Sequence, residues 1–387
     1  MKSLQTHTIH AIHYATGEPV AVTIEQGVIK EAGSLANPDG GPLPYIAPGL
    51  TDLQVNGYHG FDFNSPQLSI DDVAGCTRLL LAQGVTTYFP TVITNSPAHM
   101  QASLRTIAAA CEQSDVVAAC TGGIHLEGPF ISPLEGPLGA HDRRFVQAPC
   151  WELFEACWQA SDGRIKIITL SPEWPEAVAF IRRCVERGVV VSIGHTAADT
   201  RQIEAAVAAG ASMSTHLGNG AHPVLPRHPN YIWDQLANDR LAASFIGDGF
   251  HLPSSVIKTI LAMKGRSAVL VSDSVSLAGL PAGAYTTPVG GEVVLTPEGK
   301  LHLKDRPGTL AGSAQTLLQG IGNLCRQYPQ NKPLCWDLAS IHPARLMQLP
   351  QQQGLCPGAP ADLVLYHLRA GIPEIAATYK NGIRYAD

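Results

Sequence analysis

The sequence predicts an α/β protein built on a parallel (β/α)8 barrel, the TIM barrel. Eight strand-like runs follow one another between Tyr45 and Ser274, and helical patterns recur between them. Glycine precedes many of these strands, as is common where a helix ends and the chain turns. A doubly wound open sheet is the alternative, but the glycine-rich dinucleotide fingerprint is missing after the first strand. The serial βα pattern therefore favours the barrel.

Both ends of the chain predict a smaller β domain. Short alternating segments such as HTIHAIHYA and PVAVTIEQG open the chain, and ADLVLYHL resumes that pattern near its end. Asn381-Gly382 is a strong signal for a two-residue hairpin turn. We therefore predict a β domain formed by residues 1–47 and 350–387, with the barrel at residues 48–349.

The predicted barrel strands are rich in β-branched and apolar residues, and they read YIAPGLTDLQVN, VTTYFPTVI, VAACTGGIHLE, IKIITLSPE, VVVSIGH, SMSTHLGN, AASFIGDG and AVLVSDS. The intervening helices have apolar residues at helical spacing, as in DDVAGCTRLLLAQ, DTRQIEAAVAA and SVIKTILAMK. Residues 277–307 have the pattern of a hairpin inserted after the eighth strand.

Composition narrows the class of protein and of partner. A chain of 387 residues with 45% hydrophobic and 15% charged residues can bury a large core. Its net charge of -6 and pI of about 6.2 argue against nucleic acid or an anionic membrane as partner, and leave a small-molecule substrate. No apolar run approaches the roughly 20 residues of a membrane span, and the N terminus does not resemble a signal peptide. Nine cysteines without a CxxC pair fit reduced thiols. We therefore expect a cytoplasmic protein.

Four chemically active side chains come at or near the ends of predicted strands: Glu127, His195, His216 and Asp273. A single histidine is more often a hydrogen-bonded structural residue, and a lone loop carboxylate is usually just solvated. In a parallel barrel, however, the C-terminal ends of all strands meet at one mouth. The four residues at matching positions therefore predict one site.

Glu127, His195 and His216 offer one oxygen and two imidazole nitrogens, a set that suits Zn²⁺ with one position left open. Zinc can lower the pKa of a bound water to about 7, which makes hydroxide accessible at neutral pH. Asp273 is then placed to orient this water, take its proton and pass the proton to a leaving amine. Fe²⁺ accepts the same ligands, so we predict a divalent metal with zinc as the first candidate.

A series of motifs runs through the chain in a fixed order: PGLTDLQVNG, LEGPF, GAHDRRFV, IGHT, THLGN, DGFH, VSDS, GTLAGSA and HPARLMQL. From about Ala47 to the C terminus the chain resembles the N-acetylglucosamine-6-phosphate deacetylases of the amidohydrolase superfamily. The resemblance implies a distorted (β/α)8 barrel with a small β-sandwich, a divalent metal, and hydrolysis of an N-acetyl group to acetate and an amine. By motif match it implies Asp273 as the general acid/base and metal ligands as follows: Glu127, His195 and His216.

The first strand carries Gln54-Val55-Asn56 where many members of the superfamily have His-x-His for a second metal. The resemblance to the branch with Gln-x-Asn implies one metal per chain. A direct role of Gln54 in the site and a hydrogen-bonding role in the barrel floor are both open.

The same resemblance implies substrate contacts. His141 matches a histidine near the acetyl carbonyl, where it can help to polarise that oxygen, and His251 matches another substrate-contacting histidine. Asn219 and the backbone amide of Gly220 are candidates for sugar or phosphate oxygens. Arg227 is a candidate for bidentate phosphate binding. In the family this arginine comes from the adjoining subunit, which implies a homodimer.

The loop after His216 departs from the family pattern. The usual run is close to THLFNAM, whereas this chain has THLGNGAHPVLPRHPNYIWDQL. Gly218 removes a bulky side chain, and the added prolines predict a stiffer pocket of different shape. Phosphate dependence and the identity of the sugar are therefore open. Two alternatives remain, an amidohydrolase for another N-acyl substrate or cyclic amide, and a catalytically silent sugar-binding barrel.

Overall fold

The computed structural model describes residues 6–36, 41–287, 291–369 and 372–385. Its strands in chain order are β1 (His7–His13), β2 (Pro19–Glu25), β3 (Val28–Ser34), β4 (Tyr45–Pro48), β5 (Leu50–Val55), β6 (Gly57–Tyr58), β7 (Phe61–Asp62), β8 (Val85–Ile93), β9 (Ile124–Glu127), β10 (Ile165–Leu170), β11 (Val190–Ile193), β12 (Met213–Ser214), β13 (Ala242–Ile246), β14 (Ala268–Val271), β15 (Gly283–Thr287), β16 (Gly291–Leu295), β17 (Leu301–Leu303), β18 (Leu363–Arg369), β19 (Ile372–Lys380) and β20 (Ile383–Tyr385).

The helices in chain order are α1 (Ile70–Ala82), α2 (Pro97–Gln113), α3 (Asp115–Cys120), α4 (Trp151–Ala160), α5 (Ala177–Glu186), α6 (Thr200–Ala208), α7 (Tyr231–Ala237), α8 (Ser254–Lys264), α9 (Leu317–Gln327), α10 (Lys332–Asp337) and α11 (Ile341–Leu346). Within the described ranges, no helix is both long and apolar enough to cross a bilayer.

Eight parallel strands form the barrel, in the order β5, β8, β9, β10, β11, β12, β13 and β14. The two outermost strands of this order approach each other at the mouth, because the Asp273 amide donates to the Gln54 carbonyl at 3.0 Å and the Asn56 amide donates to the Ser274 carbonyl at 2.8 Å. The register between β5 and β8 shifts twice, so the barrel is irregular. The predicted (β/α)8 architecture and its eight strands are confirmed.

Apolar side chains fill the inside of the barrel, and a larger apolar layer lies between the strands and the helices. The inner cluster is formed by Leu53, Phe89, Ile167, Met213, Ile246, Val269 and Val271. Such a packed interior leaves the chemistry to the strand ends and their loops, as is general for this fold.

Strands from both chain ends form one seven-stranded sheet in the order β20, β19, β18, β4, β1, β2 and β3. This sheet has its own apolar core and forms the predicted small β-sandwich domain. Asn381 and Gly382 connect β19 and β20 with φ angles of 48° and 72°, which is the conformation that the hairpin signal predicts. The exact boundaries at 47/48 and 349/350 stay predictions.

One part of a predicted strand is helical. In the run VAACTGGIHLE, residues 117–120 belong to α3, and only Ile124–Glu127 is a strand. Val117 and Cys120 are both buried and three residues apart, so a helical turn places them on one face. The predicted insertion at residues 277–307 contains the antiparallel strands β15, β16 and β17, while residues 288–290 lie outside the described part.

Candidate active site

Three of the predicted site residues have an unusual backbone conformation. His195, His216 and Asp273 have φ angles of 49°, 28° and 47°. Residues other than glycine rarely adopt this left-handed region, and such conformations cost about 1–3 kcal/mol each and cluster at functional sites. Each of these residues follows a buried barrel strand by two residues, in a tight turn at the mouth.

Glu127, His195 and His216 converge on one point. Glu127 Oε1 lies 3.2 Å from His195 Nε2 and 3.1 Å from His216 Nε2. The two Nε2 atoms are 3.1 Å apart, and all three residues are buried. Three potential ligand atoms from β9 and from the turns after β11 and β12 therefore surround a single position.

The orientation of His195 is fixed from its other side. Its Nδ1 lies 2.7 Å from the carbonyl oxygen of Pro137, which can only accept, so Nδ1 carries the proton and donates it. A Cβ atom at Gly220 would lie 2.7 Å from this Nδ1, and one at Gly139 would lie 3.1 Å from the ring, so both glycines pack closely against the imidazole. Nε2 is therefore the ring nitrogen that faces Glu127 and His216.

These donors fit a divalent metal ion. Two ligand atoms at 2.0–2.1 Å from one tetrahedral ion are about 3.3 Å apart, close to the distances seen here. Burial opposes ionisation of Glu127, but its hydrogen bonds to His195 and His216 and their charge outweigh this effect and keep its pKa well below its usual range. A carboxylate that stays ionised in a buried position requires positive charge beside it.

Gln54 and Asn56 hold the two carboxylates of the site. Gln54 Nε2 donates to Glu127 Oε1 at 3.0 Å, and Asn56 Nδ2 donates to Asp273 Oδ1 at 2.8 Å. Both side chains project from the end of β5 into the mouth. Of the two roles considered for Gln54, hydrogen bonding is the one seen, and it is made to a predicted metal ligand.

Asp273 lies half-buried beside this cluster. Burial raises its pKa to about 6, the negative charge of Glu127 adds to the rise, and the charges of His216 and His251 and the hydrogen bond from Asn56 oppose it. A metal ion held by Glu127 would oppose this rise. A carboxyl group with a pKa close to neutral can both accept and return a proton.

His141 also reaches the cluster. Its Nε2 is 3.3 Å from His195 Nε2, and the ligand atoms of Glu127, His141 and His195 lie within 4.8 Å of one another. Burial lowers the pKa of His141 to about 3, with the charge of His195 as the next cause, so its imidazole is neutral at neutral pH. His141 is therefore close enough to contact either the metal or a group bound to it.

The remaining predicted residues surround this centre less directly. His251 Nδ1 is 2.7 Å from Asp248 Oδ2, and Asn219 Nδ2 donates to the His216 carbonyl at 3.3 Å. Gly220 lies against His195, as described above. Arg227 is exposed on the loop between β12 and α7, and is not part of the buried cluster.

Several supporting residues were not predicted from the sequence. Asp248 orients His251, and the Pro137 carbonyl orients His195. A buried layer below the metal position links His125 Nε2 to Thr169 Oγ1 at 2.7 Å, and Thr169 to Thr215 at 2.6 Å. The DGFH run places an acid three residues before its histidine, which was a usable signal for Asp248. No local signal marks a carbonyl or a contact between distant strands.

Known proteins that resemble this chain in sequence include N-acetylglucosamine-6-phosphate deacetylases. No protein-family model matches the chain. N-acetylglucosamine-6-phosphate deacetylase of Bacillus subtilis (strain 168) is 32% identical over 328 residues, which cover 83% of this chain and 80% of that protein. The human protein of the same name is 31% identical over 348 residues, covering 87% of this chain and 82% of that protein.

Solved structures of N-acetylglucosamine-6-phosphate deacetylases also resemble this chain. A mutant N-acetyl-D-glucosamine-6-phosphate deacetylase from Mycobacterium smegmatis, in complex with N-acetyl-D-glucosamine-6-phosphate, aligns with a TM-score of 0.86 at 26% identity over 99% of this chain and 100% of that one. The deacetylase from Thermotoga maritima aligns with a TM-score of 0.83 at 27% identity, over 98% of each chain. A 5-methylcytosine deaminase from Klebsiella pneumoniae shares the fold alone, with a TM-score of 0.61 at 12% identity over 98% of this chain and 97% of that one.

A (β/α)8 barrel whose mouth gathers a buried carboxylate, two buried imidazoles and a separate half-buried carboxyl group has the arrangement of the amidohydrolases, a metal-dependent class of hydrolases. The relatives described above identify one family within this class of hydrolases. The chain belongs to the N-acetylglucosamine-6-phosphate deacetylase family.

Proposed function

We propose that this protein hydrolyses the N-acetyl group of N-acetylglucosamine-6-phosphate, or of a closely similar N-acetylhexosamine phosphate, and releases acetate and the amino sugar phosphate. The observation that carries the proposal is the convergence of Glu127, His195 and His216 within 3.2 Å of one another, beside the half-buried Asp273. Membership of the deacetylase family supplies the substrate class.

Glu127, His195 and His216 would hold one divalent metal ion, which we propose to be Zn²⁺, with Fe²⁺ as the second candidate. When bound, the metal supplies Lewis-acid chemistry, since it makes water more acidic and polarises a carbonyl oxygen. Gln54 keeps Glu127 in place through its amide hydrogen bond of 3.0 Å. Its side chain also fills the position at which a histidine would supply a ligand for a second metal.

Asp273 moves the protons. Its carboxylate accepts a proton from the water that attacks the acetamide carbon, and later donates a proton to the amine nitrogen as the C–N bond breaks. Burial raises the pKa of this carboxyl group and a bound metal would oppose the rise, so the group is ionised at neutral pH and can return a proton to the amine. Asn56 holds the carboxylate through its hydrogen bond of 2.8 Å to Oδ1.

His141 stabilises the oxygen of the former acetyl carbonyl as negative charge develops on it. Its neutral imidazole can donate one hydrogen bond to that oxygen, and a donor held in place before the reaction stabilises the developing charge. The distance of 3.3 Å from His195 Nε2 supports this assignment, because it puts His141 beside the metal position.

Sugar and phosphate oxygens would be bound at the rim by Asn219, Gly220, His251 and Arg227. We propose that Arg227 serves the site of the partner in a homodimer. Its exposure supports this, as do two exposed apolar side chains near it, Val224 at 84% and Trp233 at 52%. We also propose a cytoplasmic location, supported by nine cysteines that are all free, seven of them buried.

Acetate release tests the proposed function. Zinc-loaded protein is assayed with N-acetylglucosamine-6-phosphate and with free N-acetylglucosamine over a concentration series, and its metal content is measured in parallel. We expect one metal per chain and a strong preference for the phosphorylated sugar. Failure on both sugars by folded, metal-loaded protein would contradict the proposal. The altered loop at residues 217–230 would then indicate another N-acyl substrate, to be sought among acyl amino acids and cyclic amides.

A further inference from the structure

A carboxylate that takes no part in the proposed chemistry lies between the loops of two metal-site residues. Glu173 follows β10, which lies between β9 and β11 in the barrel. Strand β9 ends on Glu127, and β11 leads to His195. Neighbouring strands are about 4.8 Å apart, so the ends of β9 and β11 are roughly 10 Å apart across β10. The loop after β10 is therefore the segment that can connect their loops.

The Glu173 carboxylate connects all three segments. Its Oε1 accepts from the Ser132 hydroxyl at 3.0 Å, in the loop that follows Glu127. Its Oε2 accepts from the Ser171 hydroxyl at 2.8 Å and from the backbone amide of Ala197 at 2.8 Å. Each oxygen thus holds a loop that leaves a ligand-bearing strand.

The same loops hold His195. The Ser132 amide donates to the His195 carbonyl at 2.8 Å, and the Pro137 carbonyl accepts from His195 Nδ1 at 2.7 Å. Ala197 comes two residues after His195, whose φ of 49° requires support from its surroundings. Loss of the Glu173 carboxylate would remove one hydrogen bond from the segment before Pro137 and one from the segment after His195.

We infer that Glu173 is a positioning residue of the metal site. It keeps residues 132–139 against residues 195–197, so that His195 Nε2 stays aimed at Glu127 and His216. The inference rests on the metal site proposed above. Contacts that orient metal ligands in this way typically account for 10–100-fold in metal affinity.

Zinc affinity of the full-length protein tests this assignment, measured by competition with a chromophoric chelator. Glu173→Ala is expected to weaken zinc binding by about 10–100-fold, and excess zinc should restore its activity. Glu173→Gln should stay close to wild type. Its amide oxygen can accept from Ser171 and Ala197, and its NH₂ group can donate to the Ser132 hydroxyl, which rotates to accept. Glu176→Ala is the matched control, because Glu176 is exposed in the same loop and its side chain makes no helix-capping bond.

Zinc affinity of Glu173→Ala within about twofold of wild type would overturn the inference. Glu173→Gln as weak as Glu173→Ala would also overturn it, because charge rather than hydrogen bonding would then be responsible. If circular dichroism shows that Glu173→Ala does not fold, Ser132→Ala replaces it; several-fold weaker binding supports the inference, and unchanged binding refutes it. Wild-type protein that binds zinc but releases no acetate would contradict the proposed function alone, and the affinity comparison would still decide the role of Glu173.

Discussion

At the scale of single residues, the proposed chemistry depends most directly on Asp273. Its carboxyl group is half-buried, hydrogen-bonded to Asn56 and separate from the proposed metal ligands. Asp273→Asn keeps the shape and removes the proton acceptor, so we expect kcat to fall by about 10²–10⁴-fold while the bound metal is retained. Acetate release and metal content of the same preparation check this. Full activity in the variant would refute the role of Asp273, and loss of the metal would show that the residue also supports the ligands.

The pH dependence of kcat/KM should change when Asn56 is replaced. The Asn56 hydrogen bond favours the ionised form of Asp273 and so opposes the rise of its pKa to about 6. Asn56→Ala removes this bond, so the pKa of Asp273 rises. As the pH is lowered, the active carboxylate is then protonated at a higher pH than in the wild type. We expect the acid limb of kcat/KM to move upward, with activity at pH 5 reduced more than activity at pH 8. A limb that stays in place while kcat/KM falls equally at all pH values would contradict this explanation.

The ends of the predicted strands were enough to suggest Glu127, His195, His216 and Asp273, because in a parallel barrel those ends share one mouth. The structure gathers these residues, and their roles stay predictions. The contacts that orient them could not be predicted. The Pro137 carbonyl contacts His195, and the Glu173 carboxylate contacts Ala197 beside it. Both groups lie on loops whose paths depend on tertiary packing, and sequence spacing carries no information on those paths.

At the scale of elements, the loop between β12 and α7 is the segment that we predict to depart from the family pattern. Tyr231, the first residue of α7, holds this loop, since its hydroxyl oxygen lies 2.8 Å from the His222 amide and 2.9 Å from His222 Nδ1. Strand positions were predicted well because β-branched runs alternate with helical patterns. Helix α3 was missed, because a six-residue helix has too few turns to show a periodicity.

Loosening this loop should affect substrate binding more than catalysis. Tyr231→Phe leaves the His222 amide without its acceptor, and a hydrogen bond of this kind is worth about 0.5–1.5 kcal/mol. We expect KM for the phosphorylated sugar to rise about 2–10-fold with kcat nearly unchanged. Tyr14→Phe is the control, because it removes a hydroxyl bonded to Asp337 in α10. A fall in kcat at constant KM would show that the loop acts on the chemical step instead.

At the scale of the whole molecule, a buried ion pair inside the β-sandwich domain lies against the barrel, which it reaches through a hydrogen bond from Lys380 to Thr87 in β8. Lys380 Nζ lies 2.7 Å from Asp362 Oδ2 and 3.3 Å from Thr87 Oγ1, with the paired side chains 3% and 1% exposed. Lys380→Met leaves the Asp362 charge buried without its partner, so we expect the free energy of unfolding to fall by about 3–5 kcal/mol.

Chemical denaturation measures this loss. The matched control is Lys304→Met, which breaks an ion pair with Glu292 whose side chains are 54% and 66% exposed, and should cost less than about 1 kcal/mol. Equal losses in the two variants would show that the buried Lys380 pair adds no more to stability than an exposed pair does.

The proposed homodimer makes a prediction that concerns two chains at once. If Arg227 binds phosphate in the partner's site, Asp273→Asn and Arg227→Ala dimers are each nearly inactive for different reasons. In a mixed dimer, the chain that keeps Asp273 receives Arg227 from the other chain, so one complete site is regenerated. Random exchange makes about half of the dimers mixed, and we expect about a quarter of wild-type activity after the two proteins are unfolded and refolded together.

Acetate release before and after mixing measures this recovery. Two controls bound the result, namely each variant refolded alone and wild type refolded with Asp273→Asn. If Arg227 serves its own chain, no mixed dimer contains a complete site, and mixing adds nothing. That outcome would remove the shared phosphate site from the proposal while leaving the metal centre and Asp273 untouched, because all of their contacts lie within one chain.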